Sequence, residues 1–476
     1  MQTPAPYPTI KTVLPDSFSW KQIQNFVQQQ NPGFILASPL KNDHRSKFEF
    51  AGFSPETLIL VFSNRLEIHS ETGNSVIPLD GSNPLKEIEN IVNLGSSSKL
   101  SDPLITGGWF FAFSYEFSSF LTASKVETFP VLPSELLGVG LKPKVLFRHD
   151  LKNGSIDLLH PQDFPTSNLI VNLKESNKSD SAPVETDGVH FTESFNLYSS
   201  KVESLRNHIR DGDTYEVNYV HELKGNIKNG NPSQIWDSLI SYSPSSFFTW
   251  FKLDHFTLLS SSPERFFKTT GRQITVQPMK GTRRRDSDPE IDLRMKTELS
   301  LSEKDQAENL MIVDLMRNDL GKICKTGSVK VKSLFEVESY QTVHQMISTI
   351  TGELPENETV FSVIEALFPP GSMTGAPKKR TMELIRKYES GPRGFYSGIS
   401  GYVDYSGNSE WSVLIRCIEF IGKVFSAKAG GAITSDSKAE EEYAETITKL
   451  KGILESLNIK PESIINMDSG PIKKGY

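Results

Sequence analysis

Short apolar and β-branched runs, separated by turn clusters, fill roughly the first third of the chain. Residues 57–62 and 66–68 are two such runs, and their length and composition predict β-strands. Residues 107–113 (Gly-Gly-Trp-Phe-Phe-Ala-Phe) form an uninterrupted apolar run, which predicts a buried strand whose aromatic rings pack in a core. This part of the chain is therefore predicted to be rich in β-structure.

The pattern changes around residues 173–188, where a polar, serine-rich stretch broken by Pro183 predicts a linker. Apolar residues then recur at helical spacing from 191 to 209, and Gly212-Asp213 turns the chain into a predicted strand at 214–219. The chain ends in a mostly polar segment that is typical of a frayed tail. The predicted regions are an N-terminal region (1–172), the linker (173–188), a second region (189–460) and a flexible tail (461–476).

A helix predicted to start at Ser302 carries an acid on its apolar face. Asp305 stands three residues after Ser302, as in a capping box, whereas Glu308 projects onto the face that bears Met311 and Leu315. An ionised carboxylate is costly to desolvate, so Glu308 needs a cation, a cluster of donors or a metal ion as its partner.

A second helix, predicted to start at Ser437, has several glutamates in its first turns: Glu440, Glu441, Glu442 and Glu445. Acids near a helix N-terminus interact favourably with its dipole, and Glu445 with Lys449 makes a stabilising i,i+4 pair, so helix stability alone accounts for the cluster. Considered together with Glu308, the same carboxylates suit Mg²⁺, which binds few protein oxygens and keeps coordination positions open for a substrate.

Two further features indicate a site for an anion. Gly430 and Gly431 follow a strand-like run, and adjacent glycines either let backbone N–H groups converge on an anion or form a tight turn without a ligand. The local sequence leaves both interpretations open. Arg416 lies in the apolar run 413–420, which predicts a buried strand, and its guanidinium group is well shaped to pair with a carboxylate.

Lys280 stands between Pro278 and Gly281, after the alternating run 273–277 and before three arginines at 283–285. Most lysines in such a loop are simply solvated. To carry a free amine at neutral pH, Lys280 would need its pKa lowered from about 10.4 to about 7, which corresponds to roughly 4.6 kcal/mol. Burial, the three arginines and a divalent cation are all expected to lower this pKa.

Composition and charge narrow the classes of function. Of the 476 residues, 37% are apolar and 23% are charged, and the net charge of -7 offers no basic surface for nucleic acid. The N-terminus has no signal pattern and no run reaches the length of a membrane span, so we expect a cytoplasmic protein with small-molecule or protein partners. Cys324 and Cys417 have no metal-ligand spacing and are expected to be buried and reduced.

Five segments, in order along the chain, resemble the chorismate-utilising enzymes, a family that includes anthranilate synthase component I, aminodeoxychorismate synthase component I, isochorismate synthase and salicylate synthase. The segments are 262–266 (Ser-Pro-Glu-Arg-Phe), 278–282 (Pro-Met-Lys-Gly-Thr), 307–319, 370–378 (Pro-Gly-Ser-Met-Thr-Gly-Ala-Pro-Lys) and Glu445-Thr446. The resemblance is strong over residues 191–454 and partial before them, as at 107–115. It implies an α+β fold of two large β-sheets packed face to face with helices outside, similar to anthranilate synthase component I.

The resemblance also implies roles for individual residues. Glu308 and Glu445 correspond to magnesium ligands, with Asp305 and Glu442 as supporting acids. Glu264 corresponds to a general acid that protonates the departing 4-hydroxyl of chorismate. The implied substrate-binding residues are Arg416, Tyr396, Lys449, Gly430 and Gly431, which anchor the two carboxylates, and His344 and Thr374, which line the ring site.

The residue at position 280 separates branches of this family. Anthranilate synthases typically have alanine there, whereas aminodeoxychorismate synthases have lysine, so Lys280 favours the second branch. The implied mechanism is attack by Lys280 on ring carbon 2 with loss of the 4-hydroxyl, followed by entry of ammonia at carbon 4 and release of the lysine. The implied product is 4-amino-4-deoxychorismate, a precursor of p-aminobenzoate and folate.

Glu216 departs from the family pattern, because the aminating members usually carry glutamine at this position and the water-using members carry lysine. The glutamate argues against isochorismate or salicylate synthesis, since it replaces the base that activates water. Its own role is left open by the sequence. One hypothesis is that Glu216 positions or deprotonates incoming ammonium.

The source of nitrogen is expected to lie outside this chain. No Cys-His-Glu glutaminase arrangement is present, so the resemblance implies a separate glutamine amidotransferase subunit that supplies ammonia. Two alternatives are an anthranilate synthase component I and a catalytically silent paralogue that only binds ligand or partner. The presence of Glu264, Lys280, Glu308 and Glu445 argues against the silent paralogue.

Overall fold

The computed structural model describes residues 9–40, 45–92, 107–121, 126–176, 183–340, 343–460 and 464. Its strands belong to one hydrogen-bonded network of antiparallel pairs that divides into two sheets. Two long strands, β3 (Phe48–Val61) and β7 (Gly138–Asp150), pair along their whole length and run through both sheets. A register shift after Pro55, next to the positive φ of Ser54, marks the point where β3 passes from one sheet to the other.

The first sheet consists, in spatial order, of β1 (Thr9–Val13), β8 (Ile156–Pro161), β7, β3, β2 (Gly33–Ala37), β11 (Phe247–Leu253), β12 (Phe256–Ser262), β21 (Cys417–Ile421), β22 (Val424–Ile433), β10 (Glu216–Asn229) and β9 (Glu185–Phe191). The short strand β18 (Gly375–Ala376) pairs with the start of β10. Because β2 pairs with β11, strands from before and after the predicted linker share this sheet.

The second sheet consists, in spatial order, of β5 (Gly73–Pro78), β4 (Arg65–Ser70), β3, β7, β6 (Gly108–Phe113), β19 (Ile399–Asp404), β20 (Ser409–Val413), β13 (Arg265–Thr270), β14 (Gln273–Val276), β17 (Val343–Glu353) and β16 (Lys330–Ser339). A further strand, β15 (Met279–Arg284), pairs with the first half of β17. The β6–β19 pairing again joins the two regions of the sequence.

Aromatic side chains fill the space between the two sheets. The rings of Phe34 on β2 and Phe110 on β6 stack with their centroids 4.1 Å apart, and Phe50 on β3 meets Tyr402 on β19 at 4.9 Å. Contacts of this kind connect one sheet to the other through a continuous buried core. The expected architecture of two sheets packed face to face is therefore confirmed.

The helices lie outside the sheets. They are α1 (Trp20–Gln29), α2 (Pro84–Val92), α3 (Thr166–Glu175), α4 (Phe195–Arg210), α5 (Ser233–Tyr242), α6 (Pro289–Leu301), α7 (Glu303–Gly321), α8 (Val360–Leu367), α9 (Lys378–Tyr388) and α10 (Ala439–Ser456). The apolar faces of α1, α3, α5 and α10 cover the outer face of the first sheet. Helices α6 and α7 pack on β15 and β17. No helix in the described ranges is long and apolar enough to cross a membrane.

Most predicted elements are present, with shifted ends. The runs at 57–62, 66–68 and 107–113 fall in β3, β4 and β6, as predicted. The helix predicted over 191–209 begins only at Phe195, because Phe191 is the last residue of β9 and Ser194 caps the helix. Residues 177–182 of the linker and most of the C-terminal tail lie outside the described residues. Cys324 and Cys417 are buried and unpaired, as expected.

Candidate active site

Lys280 lies on an irregular edge of the second sheet. The pairing of β15 with β17 shifts between Met279 and Thr282, and Gly281 adopts a φ of 81° inside this bulge. A Cβ atom at Gly281 would lie 2.8 Å from Oδ1 of Asp305, so only glycine fits here without displacing the start of α7. Arg283 binds the same Asp305 carboxylate at 2.9 Å. The bulge thus holds Lys280 against α7.

The amine of Lys280 is buried among carboxylates. Its Nζ lies 2.8 Å from Oε1 of Glu216 and 3.9 Å from Oε2 of Glu308. Burial lowers the pKa of Lys280, whereas the carboxylates of Glu216 and Glu308 raise it. Together the carboxylates outweigh burial, so the pKa lies above its ordinary value. The expected lowering of this pKa is not found, since the carboxylates outweigh burial, and Arg283 and Arg285 are paired with Asp305 and Asp292.

Glu264 has the properties of a proton donor. It stands between β12 and β13, is buried, and accepts a hydrogen bond of 2.7 Å from the Ser372 hydroxyl. Burial raises the pKa of Glu264 to about 7, although Ser372 and Lys280 act in the opposite direction. A substantial fraction of Glu264 is therefore protonated near neutral pH.

Arg416 presents an unpaired cation. The predicted continuous strand over 413–420 is wrong, because β20 ends at Val413, β21 starts at Cys417, and Arg416 stands in the break with a φ of 48°. Burial lowers the pKa of its guanidinium group, which makes no hydrogen bond or ion pair with any residue that the structure describes. A desolvated guanidinium group without a carboxylate is a suitable site for an anionic ligand.

Gly430 and Gly431 lie inside β22 and pair with β10, so they form neither a tight turn nor a cluster of free N–H groups. The N–H of Gly430 donates to the Tyr396 hydroxyl at 2.7 Å, and its carbonyl accepts a hydrogen bond of 2.8 Å from Lys449. A Cβ atom at Gly430 would lie 2.2 Å from Oδ1 of Asn218. The structure therefore connects Tyr396, Gly430 and Lys449, but through bonds within the protein.

Thr374 and His344 are both buried and both engaged. The Thr374 carbonyl accepts from the N–H of Asn218 at 2.8 Å, which fixes the turn after α8 against β10. The two ring nitrogens of His344 lie 2.9 Å from Ser339 and 3.0 Å from Asp292, so both already have partners within the protein. The predicted role of His344 beside the ring stays a prediction.

The predicted magnesium ligands are carried by α7 and α10. Ser302 caps α7 by accepting from the N–H of Asp305, as predicted, whereas α10 begins at Ala439, two residues later than expected. Lys304 lies 3.9 Å from Glu308 and also interacts electrostatically with Glu442 and Glu445, so these three carboxylates lie in one region of the surface of the site. Burial raises the pKa of Glu308 and of Glu442.

These acids fit Mg²⁺ by donor type. Within the described ranges, no three His, Cys, Asp or Glu side chains converge closely enough to hold a metal ion by themselves. Glu308 and Glu445 provide oxygen donors only, and both interact with Lys280. Mg²⁺ prefers such hard donors, binds through one or two carboxylates and keeps several waters, so this sparse set suits it.

The sequence reasoning missed two polar residues of the site. Asn218 stands two residues after Glu216 on the same face of β10, and its side-chain oxygen is buried without a hydrogen-bond donor among the described residues. Ser372 donates a hydrogen bond to the carboxylate of Glu264. Strand periodicity pointed to Asn218 once Glu216 was selected, and Ser372 lies inside the quoted segment 370–378.

Comparison with known proteins agrees with this geometry. Residues 67–455 match the family described as chorismate binding enzyme, which is most of the chain. The chain belongs to this family. Its likeness to the crystal structure of anthranilate synthase component I from Streptococcus pneumoniae TIGR4 extends over 86% of this chain and 92% of that one, with a TM-score of 0.72 and 24% identity. That likeness shows the shared fold of the family.

Two curated members of the family are more similar in sequence. Aminodeoxychorismate synthase of Streptomyces pristinaespiralis is 42% identical over 272 residues, which is 56% of this chain and 37% of that protein. Aminodeoxychorismate synthase component 1 of Escherichia coli (strain K12) is 40% identical over 260 residues, 55% of this chain and 57% of that protein. The matched region thus spans between about a third and just over half of these relatives.

Proposed function

We propose that this chain converts chorismate and ammonia into 4-amino-4-deoxychorismate. The observation that carries the proposal is the buried amine of Lys280, held at 2.8 Å from Glu216 at the centre of the site. A lysine there supplies a covalent nucleophile, which the anthranilate synthase branch, with alanine expected at this position, would lack. The names of the two curated relatives at 40% and 42% identity support the same branch.

Arg416 is the proposed anchor for a chorismate carboxylate, because it is a desolvated cation without an acidic partner among the described residues. Tyr396 and Lys449, which both bind Gly430, are proposed to line the substrate site. When bound by Glu308 and Glu445, Mg²⁺ would supply positive charge that holds a substrate carboxylate and reduces the negative charge around Lys280.

In the first step, Lys280 attacks ring carbon 2 as a free amine. Oε1 of Glu216, at 2.8 Å, is in place to accept the proton that Lys280 must lose. Both ring double bonds shift by one position, the bond between carbon 4 and its hydroxyl breaks, and Glu264 donates the proton with which that hydroxyl leaves as water. In the second step, ammonia forms a bond to carbon 4, both double bonds shift back, and the bond between carbon 2 and Lys280 breaks with its electron pair on Nζ. Glu216 returns its proton to the released amine, and the new ammonium group on carbon 4 gives one proton to Glu264.

The ammonia is proposed to come from a glutamine amidotransferase subunit. Support for this comes from the relative in Escherichia coli, whose name describes it as component 1 of its enzyme. Ammonium salts at raised pH should replace the partner in vitro, because the raised pH increases the concentration of free ammonia, which is all that the chain needs from the partner. Turnover with ammonium therefore tests the chemistry separately from the partner.

The experiment is product analysis after incubation of the chain with chorismate, Mg²⁺ and ammonium. We expect 4-amino-4-deoxychorismate as the product. In Lys280→Ala the rate of its formation should fall about 100-fold or more, because the covalent route is removed. Lys252→Ala is the matched control, since Lys252 is a partly buried lysine that donates to the Gln28 carbonyl. Anthranilate as the main product would instead assign the chain to the anthranilate synthase branch.

A further inference from the structure

A short segment, residues 393–397, supports two of the proposed substrate-binding residues. It lies between α9 and β19 and carries Tyr396, whose hydroxyl accepts a hydrogen bond of 2.7 Å from the backbone of β22. No described residue accepts the hydrogen of this hydroxyl, so that hydrogen is available to an oxygen atom of a ligand. The N–H of Ser397 donates at 2.8 Å to the carbonyl of Leu414, two residues before Arg416. The position of the segment thus affects both Tyr396 and Arg416.

Two carboxylates bind the four consecutive N–H groups of residues 393–396. The two oxygens of Glu116 accept from the first and second of these groups, at 2.7 and 2.9 Å. Glu419 accepts from the third at 2.9 Å and also forms a backbone hydrogen bond with the fourth, that of Tyr396. Side-chain carboxylates, rather than a helix or a strand, therefore fix this stretch of backbone.

Gly394 shows how closely the segment fits between these two carboxylates. It has a φ of 62°, and a Cβ atom there would lie 2.7 Å from Oε1 of Glu419. The carbonyl of Gly394 accepts a hydrogen bond of 2.8 Å from the N–H of Tyr115, while its own N–H donates to Glu116. Two neighbouring residues of the N-terminal region thus bind both polar groups of Gly394.

Glu116 lies in a short 3-10 helix, Tyr115–Phe120, that follows β6, so it comes from outside the region in which the sequence analysis found its candidate residues. Its side chain is buried, and burial raises the pKa of Glu116 to about 7. The nearby Glu419 acts in the same direction, whereas the backbone hydrogen bonds and Lys428 act against it. A buried carboxylate is costly, so its presence is best explained by the segment that it binds.

We propose that Glu116 is a positioning residue of the proposed reaction, which holds the segment 393–397 so that the Tyr396 hydroxyl meets a carboxylate of chorismate. This inference rests on the proposed function and adds to its site a residue from the N-terminal region. Glu116 acts only through the backbone of the segment and does not itself touch the substrate.

The test is the steady-state kinetics of Glu116→Gln, measured as consumption of chorismate with Mg²⁺ and saturating ammonium. Glutamine keeps the size of the side chain but replaces one acceptor oxygen with an NH₂ group, which repels an N–H of the segment. We expect KM for chorismate to rise about tenfold and kcat to change by a smaller factor. A purely structural role would lower kcat through the folded fraction and leave KM unchanged. An unchanged KM for chorismate in folded Glu116→Gln would therefore overturn the proposal.

Glu49→Gln is the matched control. Glu49 is a buried glutamate of β3 that accepts from the N–H of Ser38 at 2.7 Å and lies 2.7 Å from Nδ1 of His149, without contact to the segment. It should leave KM for chorismate unchanged, and an equal rise of KM in both glutamine variants would contradict the proposal.

A second variant covers the case in which Glu116→Gln does not fold. Glu116→Asp keeps both acceptor oxygens but shortens the side chain, and it must raise KM for chorismate by a larger factor than it lowers kcat. Absence of turnover by the unmodified protein would instead refute the proposed function. The Kd for chorismate, measured by calorimetry, then replaces KM, and a Kd that is the same in Glu116→Gln and the unmodified protein would overturn the positioning role.

Discussion

At the scale of single residues, Glu264 and Lys280 differ in whether their protonation state before substrate binds suits their proposed roles. Burial raises the pKa of Glu264 to about 7, so its proton is available near neutral pH. Burial also acts on Lys280, but Glu216 and Glu308 raise its pKa above the ordinary value, so its amine is charged before substrate binds. The proposed acid is therefore ready, whereas the proposed nucleophile has to lose its proton after ligands enter the site.

The pH dependence of kcat/KM for chorismate should report the ionisation of Glu264. Because the protonated form is the active one, the rate is expected to fall as the pH rises through about 7. Ser372 stabilises the ionised form through its hydrogen bond, so Ser372→Ala should raise the pKa of Glu264 and move this fall to higher pH. A fall that moves to lower pH in Ser372→Ala would contradict the assignment.

Arg416→Ala should weaken substrate binding without weakening the fold. Loss of hydrogen bonds to a carboxylate costs about 1.5–3 kcal/mol, so KM for chorismate is expected to rise roughly 10- to 100-fold. The free energy of unfolding should not fall, because Arg416 is desolvated and has no partner among the described residues. Kinetics and urea denaturation measure the two effects.

Arg393→Ala provides the contrast to Arg416. Arg393 is buried, pairs with Glu389 at 2.6 Å and donates to the carbonyls of Met373 and Asn218, so its loss leaves a buried charge unpaired. A cost of about 3–5 kcal/mol in the free energy of unfolding is expected. If Arg416→Ala behaved in this way and left KM for chorismate unchanged, Arg416 would be structural.

At the scale of elements, local sequence patterns predicted the strands and helix ends that depend on residues close together in the sequence. Strands β3, β4 and β6 and the Ser302 cap of α7 followed from periodicity and capping residues. The break at Arg416 did not, because the apolar run 413–420 is continuous and the left-handed backbone is held by contacts with other strands. Gly430 and Gly431 were misread for a related reason, since their pairing partner β10 is about 200 residues away.

Gly430→Ala should disturb the strand more than Gly431→Ala. A methyl group at Gly430 would lie 2.2 Å from Oδ1 of Asn218, whose short side chain is buried and has little room to move. At Gly431 it would meet Glu442 Oε2 at 2.8 Å, the end of a longer side chain that has room to move. We expect Gly430→Ala to lose about 1–3 kcal/mol of unfolding free energy and to raise KM for chorismate. Equal effects of the two variants in urea denaturation would contradict this account.

At the scale of the whole molecule, the site exists because distant segments share two sheets. Lys280 comes from β15, Glu216 from β10 and Glu308 from α7, and no local pattern indicates that these elements meet. Resemblance to a family identified the residues in advance, since it transfers positions between sequences. It could not show that Lys280 is paired with Glu216, because that contact depends on side-chain packing in this chain.

The proposed mechanism requires Lys280 to become covalently bound to the substrate. The most direct measurement of this step is mass spectrometry of the intact protein and its peptides after incubation with chorismate and Mg²⁺ in the absence of a nitrogen source. We expect an added mass of chorismate minus water on the peptide that contains Lys280, and we expect this adduct to be converted to 4-amino-4-deoxychorismate when ammonium is added. Formation of that product by Lys280→Ala at an undiminished rate, with no adduct on the unmodified protein, would contradict the proposed mechanism.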